Sequence, residues 1–181
     1  MILIDHNIIK QIKQGNRKAM QQLYSLTARY LYAICQRYLS NEEDTKDVLQ
    51  ETFVKIFRNI KDFNERNDAT LLSWMVRIAV NESLMFLRQK RRETFIESHS
   101  DIPDKEEELE VARFTAEELH NAIMLLPTGY RVVLNLYVFE KKKHKEIAQL
   151  LGIKEASSAS QLNRAKHLLR KILLEQEGGK R

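Results

Sequence analysis

Residues 44–60 read DTKDVLQETFVKIFRNI, and the apolar side chains among them recur every three or four positions. This spacing predicts an amphipathic helix whose apolar stripe must be covered by neighbouring helices. The stripe consists of Leu49, Phe53, Ile56, Phe57 and Ile60.

A second face of this predicted helix is polar, and it is acidic where the helix begins. Asp44, Asp47, Glu51 and Lys55 lie three or four residues apart, so they share that face. Two interpretations fit the pattern. The face is either a solvated surface whose early acids complement the helix dipole, or a docking surface for a large partner. The helix taken alone does not distinguish them.

Composition narrows the fold and the class of partner. The chain has 181 residues, enough for one medium domain or two small ones. Five glycines, two prolines and little strict alternation of apolar residues predict an all-α fold. A net charge of +5 with a pI of about 9.3 suits a polyanionic partner without requiring one.

The sequence predicts a cytoplasmic protein. Cys35 is the one cysteine, so no disulfide forms within the chain and a reducing compartment is expected. The apolar run at the N-terminus is too short for a signal peptide. No apolar stretch approaches the roughly twenty residues of a membrane span.

The first half of the chain predicts four helices that pack as a bundle within residues 1–93. Polar residues 63–69 are expected to form a loop, and a fourth helix follows from about Thr70 to Gln89. The residues expected on its core side are Leu71, Trp74, Met75, Ile78, Ala79 and Met85.

Residues 94–111 are rich in Asp and Glu, with Pro103 among them, and predict a mobile acidic linker. The alternative for this run is a metal site, but it lacks the glycine and the ligand spacing of a calcium loop. Residues 112–177 then predict a second helical domain, and residues 178–181 a disordered tail.

The second domain contains a short helix, a glycine and a long helix, which is the layout of a helix-turn-helix. Ala148 and Gly152 supply the small residue and the turn. The alternative is an ordinary helical hairpin. Ser158 lies where such a helix usually turns an aliphatic side chain inward, and we expect its hydroxyl to bond a preceding carbonyl.

The N-terminal half of the long helix is the part that enters a major groove in such motifs. Ser157 and Ser160 suit phosphate contacts. Asn163 suits an adenine edge, and Arg164 suits a guanine or a phosphate. Lys166 completes this candidate surface.

A second candidate nucleic-acid surface is the basic run from Arg88 to Arg92, with Arg77 and Trp74 nearby. The alternative is a helix C-terminus whose cations balance the dipole. Asn81 fits either a functional role or a simple exposed position.

The chain shows no sign of an enzyme or of a cofactor site. Its five histidines are scattered without metal-ligand spacing, and it has no glycine-rich phosphate loop. Cys35 has no base placed beside it in the sequence. We therefore expect neither catalysis nor a cofactor or metal.

The two halves together resemble a bacterial RNA polymerase sigma factor of the sigma-70 family, in the extracytoplasmic-function group. Residues 44–53 (DTKDVLQETF), residues 73–81 (SWMVRIAVN) and the basic run resemble domain two. Leu126-Pro127 with Arg131, Glu146-Ile147-Ala148 and residues 163–166 (NRAK) resemble domain four. The resemblance covers almost the whole chain.

The resemblance implies core RNA polymerase and promoter DNA as partners, with an anti-sigma factor as a third. It implies docking on the beta-prime clamp helices and the beta flap, and recognition of two promoter elements. The docking residues would be Asp44, Asp47, Gln50 and Glu51. The minus-ten residues would be Phe63, Asn64, Trp74, Arg77, Asn81 and Arg88. The minus-thirty-five residues would be Ser157, Ser160, Asn163, Arg164 and Lys166.

The family pattern also implies a pocket for a flipped base at residues 62–69, and a linker that runs toward the polymerase active-site channel. Two departures bear on promoter choice. Ala159 stands where the family commonly has a cation, and residues 141–144 (KKKH) replace a common Gly-x-Ser. Alternative functions are a stand-alone helix-turn-helix regulator and a degenerate homologue that titrates partners.

Overall fold

The computed structural model describes residues 4–64, 70–90 and 113–178. The chain divides into two compact units, Met1–Arg92 and Glu93–Arg181. All regular secondary structure in the described ranges is helical, which confirms the all-α prediction. The predicted acidic linker, most of the loop after Phe63, and Arg91 and Arg92 of the basic run lie outside the described residues.

The first unit contains α1 (His6–Lys13), α2 (Arg17–Tyr38), α3 (Glu42–Asn59) and α4 (Leu71–Lys90). Polar side chains fix where two of these helices begin. The Asn16 side chain accepts a hydrogen bond from the backbone N–H of Lys18, and that of Asn41 accepts one from Asp44. Both are N-caps, because a short polar side chain satisfies a backbone donor that the first turn leaves open.

The apolar stripe of α3 lies in the core of this unit. Leu49, Phe53, Ile56 and Ile60 are buried, and Phe57 is half-buried. Stacking extends the core outward, since the ring centroids of Phe53 and Tyr24 lie 4.6 Å apart. The predicted helix is therefore the central element of the first bundle.

The placement of Met85 in the core was wrong. Its side chain is 40% exposed. The inward face of α4 continues from Met75 and Ala79 through Ser83 and Leu87, at steps of four residues. Residue 85 lies two positions from Ser83, which on a helix turns it away from that face.

The second unit contains α5 (Ala116–Met124), α6 (Thr128–Val138), α7 (His144–Leu151) and α8 (Glu155–Gly178). Gly152 has a φ of +68° between α7 and α8, a left-handed conformation that glycine adopts without strain. The helix-turn-helix layout is thus present. Gly178, predicted to begin the tail, belongs to α8, and residues 179–181 lie outside the described part.

All four helices contribute to the core of the second unit. The buried apolar residues are Ala122 and Ile123 of α5, Leu126 after it, Val132, Val133, Leu134 and Leu136 of α6, Ile147 and Ala148 of α7, and Leu162, Ala165, Leu169 and Leu173 of α8. No helix in the described ranges is both long and apolar enough to cross a membrane.

Candidate functional site

The outer face of α3 carries three of the four predicted docking residues in accessible positions. Asp47, Gln50 and Glu51 are exposed, because α3 packs on its neighbours through the opposite stripe. The helix, anchored by its buried stripe, holds these polar groups at helical spacing. The surface has the composition expected for docking on a basic partner.

Asp44 differs from the other three. Lys90, at the end of α4, places its ammonium 2.7 Å from both carboxylate oxygens of Asp44. The Asp44 side chain is only 21% exposed. Part of its charge is therefore balanced within the chain, by a residue of the basic run.

Lys55 also differs from what its position on the polar face suggested. Its ammonium donates to Glu82 on α4 at 2.7 Å, and the Glu82 side chain is 8% exposed. The pair crosses from α3 to α4 in partly buried surroundings. Lys55 thus joins two helices of the bundle and is not part of the accessible polar face.

Phe63 is buried rather than presented to solvent, with 3% of its surface exposed. Its ring packs against Trp74 at a centroid distance of 5.3 Å. Its backbone carbonyl accepts a hydrogen bond of 2.6 Å from Lys13 of α1. Asn64, the next residue, is exposed, and residues 65–69 of the predicted pocket lie outside the described part.

Three predicted minus-ten residues are exposed on α4, namely Arg77, Asn81 and Arg88, and Trp74 is half-buried beside them. At about 100° per residue these four positions fall within roughly 60° of one another around the helix axis. The structure therefore brings them onto one stripe. Spacing alone had not linked Asn81 with the basic run.

The predicted residues of α8 form a second polar surface. Ser160 and Asn163 are exposed, and Ser157 and Arg164 are half-buried. Lys166 is exposed at the edge of this face, next to Asn163 around the helix. The Ser160 hydroxyl donates to the backbone carbonyl of Ser157 at 3.2 Å.

Ser158 is fully buried, as its inward position indicated, but its bonding was predicted incorrectly. The observed hydrogen bond joins its Oγ to Nδ1 of His144 at 3.0 Å, across the helix-turn-helix. The His144 ring stacks on Tyr137 with centroids 4.9 Å apart. A hydrogen bond between the two helices therefore takes the place of the apolar contact that an aliphatic side chain would make at this position.

Three lysines before or within the start of α7 are exposed, namely Lys141, Lys143 and Lys145. Lys142 pairs with Glu146 at 3.5 Å. The backbone N–H of Lys143 donates to Glu146, and this hydrogen bond, with the charge of Lys142, lowers the pKa of the Glu146 carboxyl. The helix start is thus fixed by one acid within a basic segment.

Some side chains hold helices together through contacts that the sequence did not predict. Arg131 is 2% exposed and donates from its guanidinium to the carbonyls of Met124 and Leu126, joining α5 to α6. The partners of Lys55 and Lys90 lie 27 and 46 positions away in sequence. No cluster of three or more His, Cys, Asp or Glu side chains suited to a metal ion occurs in the described ranges.

Comparison with known families gives two matches in series. Residues 23–93 match the family model for sigma-70 region 2, and residues 116–169 match that for sigma-70 region 4. The two ranges together cover more than half of the chain, and they contain all the predicted docking and promoter residues.

Two curated relatives are similar along most of their length. The ECF RNA polymerase sigma factor SigW of Bacillus subtilis is 25% identical over 178 residues, covering 91% of this chain and 94% of the relative. The ECF RNA polymerase sigma-E factor of Haemophilus influenzae is 26% identical, with coverages of 92% and 94%.

A solved structure shares the fold. CnrH, determined in complex with the cytosolic domain of CnrY, superposes with a TM-score of 0.50 at 24% identity. The superposition covers 93% of this chain and 96% of CnrH.

Proposed function

The chain belongs to the sigma-70 family of RNA polymerase sigma factors, in its extracytoplasmic-function group, and we propose that its two units serve separate promoter elements. It binds core RNA polymerase and directs transcription initiation at specific promoters. The observation that carries this conclusion is the occurrence of both family regions, in order, on one chain. A stand-alone helix-turn-helix regulator would need only the second of these regions, region 4, and not region 2.

In this proposal the exposed face of α3 docks on the clamp helices of the beta-prime subunit. Asp47, Gln50 and Glu51 make the direct polar contacts, since all three are exposed on a helix whose other side is buried. Asp44 contributes less, because Lys90 already occupies its carboxylate. Charge complementarity of this kind mainly sets specificity and association rate.

The stripe on α4 is our candidate for the minus-ten element. Arg77 and Arg88 attract the phosphate backbone, while Asn81, between them along the helix, and Trp74, about one turn before Arg77, contact the bases. Phe63 acts as a buried support: its packing on Trp74 orients the exposed Asn64 at the mouth of the proposed base pocket.

The face of α8 is our candidate for the minus-thirty-five element. Asn163 and Arg164 are the base-reading residues, and Ser157, Ser160 and Lys166 bind phosphates. Ala159, half-buried, brings no charge to this face, whereas Lys141, Lys143 and Lys145 supply cations before the motif. The partner contact of this domain on the polymerase is the beta flap.

The acidic segment 94–111 is proposed as the linker that lets each domain find its own element. An anti-sigma factor that masks one or both domains is the expected regulator. The protein is a specificity subunit rather than an enzyme, and we place it in the cytoplasm, where core polymerase works.

Reconstitution tests the function directly. The purified chain is added to core polymerase with a library of genomic promoters, and transcripts are mapped. We expect promoter-specific transcripts that need both proteins, and co-elution of the chain with core. Tight binding to a palindromic operator without polymerase, and no core binding, would instead establish the stand-alone regulator.

A further inference from the structure

A groove beside α1 is the feature of the first unit that the proposed function leaves unused. It is a cavity of about 410 Å³ lined by His6, Ile9, Lys10, Lys13, Gln14 and Phe63. Helix α1 lies before residue 23, where the family match begins. Five of the six lining residues therefore precede the matched region, and Phe63 lies within it.

The groove has an apolar floor and a cationic rim. Ile9 and Phe63 are buried and form the floor. Lys10 is exposed on the rim, and Lys13 is half-buried beside it. Among the described residues no carboxylate lines the cavity, and α1 itself (HNIIKQIK) contains no acid.

The position of Lys13 shows how the rim is held. Its ammonium donates one hydrogen bond of 2.6 Å to the Phe63 carbonyl. An ammonium has three N–H donors, so two remain to face a ligand. Ile8 and Ile12, which are buried and do not line the groove, anchor α1 in the core and so hold its cations in place.

The same hydrogen bond connects the groove to the proposed promoter surface. Phe63 forms the groove wall through its backbone and side chain, and it contacts Trp74 with its ring. Asn64 follows it directly. A strand held at Asn64 and Trp74 therefore lies next to Phe63, which is part of the groove lining.

We propose that this groove binds one nucleotide of single-stranded DNA, with its phosphate on Lys10 and Lys13 and its sugar or base over Ile9. The inference rests on the proposed function, which brings a melted strand to Phe63 and Asn64. A cavity of this size admits a nucleotide-sized group and excludes a duplex. Single-strand sites usually combine a positively charged groove with aromatic stacking faces; here Lys10 and Lys13 supply the charge, and Ile9 offers an aliphatic face in place of an aromatic one.

The first test uses the free full-length chain and a fluorescent thymidine oligonucleotide of twelve residues, followed by anisotropy at several salt concentrations. Lys10→Ala should weaken binding severalfold and reduce the magnitude of the log–log salt slope by about 0.7, the value for one lost phosphate contact on a single strand. The matched control is Lys18→Ala, an exposed cation at the start of α2 away from the groove lining.

Methyl NMR locates the effect and checks the fold. The oligonucleotide should shift the methyl resonance of Ile9 in the native chain, and the same shift should need severalfold more oligonucleotide in Lys10→Ala, while the buried Leu31 methyls stay unchanged in both. Equal affinity and slope for wild type and Lys10→Ala would overturn the proposal. So would the same Ile9 shift with inorganic phosphate alone at similar concentrations, since that means a small-anion site.

A second arm places the contact on a promoter. Holoenzyme is bound to forked DNA from a promoter found by reconstitution, with single methylphosphonates scanned through the melted strand. One neutral linkage should weaken wild type and leave Lys10→Ala unaffected. If reconstitution fails, the proposed function is contradicted, but the first test still shows whether the groove binds single-stranded DNA. If transcription succeeds and no linkage shows this coupling, the inference alone fails.

Discussion

The ammonium of Lys55 lies 2.7 Å from both carboxylate oxygens of Glu82, and this pair joins α3 to α4. Helix α3 carries the proposed docking face, and α4 carries the proposed minus-ten stripe. One partly buried ion pair therefore contributes to the relative position of two surfaces with different partners. Both residues lie within the first unit, far apart in sequence.

Glu82→Gln should destabilise the first unit. The glutamine amide keeps the shape but leaves the Lys55 charge unpaired, with a third of that side chain exposed. Removing one partner of a fully buried pair costs about 3–5 kcal/mol, and the partial exposure reduces this to about 1–3 kcal/mol here. The measurement is urea denaturation followed by Trp74 fluorescence, since the chain has one tryptophan.

Glu42→Gln provides the matched control. Glu42 pairs with Lys46 at 2.7 Å, but both side chains are well exposed, so water screens the pair and the loss of unfolding free energy should be much smaller than for Glu82→Gln. Equal losses of unfolding free energy in the two variants would contradict a special role for the Lys55–Glu82 pair.

Asp47→Ala should weaken binding to core polymerase more than Asp44→Ala does. Asp47 is exposed, whereas the Asp44 carboxylate already contacts Lys90. Affinities are measured by competition of fluorescent and unlabelled chain for core. In a Lys90→Ala background, Asp44→Ala should become more costly than in wild type, because the carboxylate is then available to the polymerase. Identical costs in both backgrounds would show that Lys90 does not shield Asp44.

Ser158→Ala should lower the unfolding free energy of the second unit by about 1 kcal/mol, the usual net value of one hydrogen bond. The reason is that His144 Nδ1 loses its partner at 3.0 Å in part-buried surroundings. Circular dichroism melts of the full chain, with Ser160→Ala as control, provide the measurement. Ser160 is exposed and its hydroxyl bonds only within its own turn, so its removal should leave the melt nearly unchanged.

Cys35 should make the first unit less stable at alkaline pH. Burial raises the pKa of its thiol from an ordinary 9.0 to about 11, partly offset by hydrogen bonds with Ser83 and Thr52. Below pH 9 the thiol is neutral in both states. Between pH 9 and 11 the unfolded chain releases this proton and the folded chain keeps it, so the free energy of unfolding falls as pH rises.

The expected size of this effect is about 2–3 kcal/mol across that window, since one pKa unit corresponds to about 1.4 kcal/mol. Urea denaturation of wild type and Cys35→Ala at several pH values measures it. The variant has no thiol to titrate, so its stability should fall less steeply. Parallel curves would mean that the thiol ionises as readily in the folded chain as in the unfolded one.

Much of the fold was readable from local patterns. The α3 stripe, the asparagine N-caps and the left-handed Gly152 turn all follow from residues close together in sequence, since helix periodicity and capping are local effects. Met85 shows the limit of this reading. Its apolar side chain predicted a position in the core, but the buried positions of α4 on either side of it are Ser83 and Leu87.

The candidate sites were readable in composition and less so in geometry. Asp47, Gln50 and Glu51 are exposed together, as an accessible docking face requires. Phe63 was expected at a DNA contact, yet its ring is buried against Trp74. The reason is that the backbone carbonyl of Phe63 accepts a hydrogen bond from Lys13, fifty positions earlier. The sequence around either residue does not predict this hydrogen bond.

Periodicity, caps and motif order were therefore enough to establish an all-helical chain with two sigma-like regions, because these depend on neighbours along the chain. The partners of Lys13, Lys55, Lys90 and Ser158 were decided only when helices packed. Each of those side chains reaches another element, and which groups meet there depends on helix rotation and crossing, which no short stretch of sequence contains.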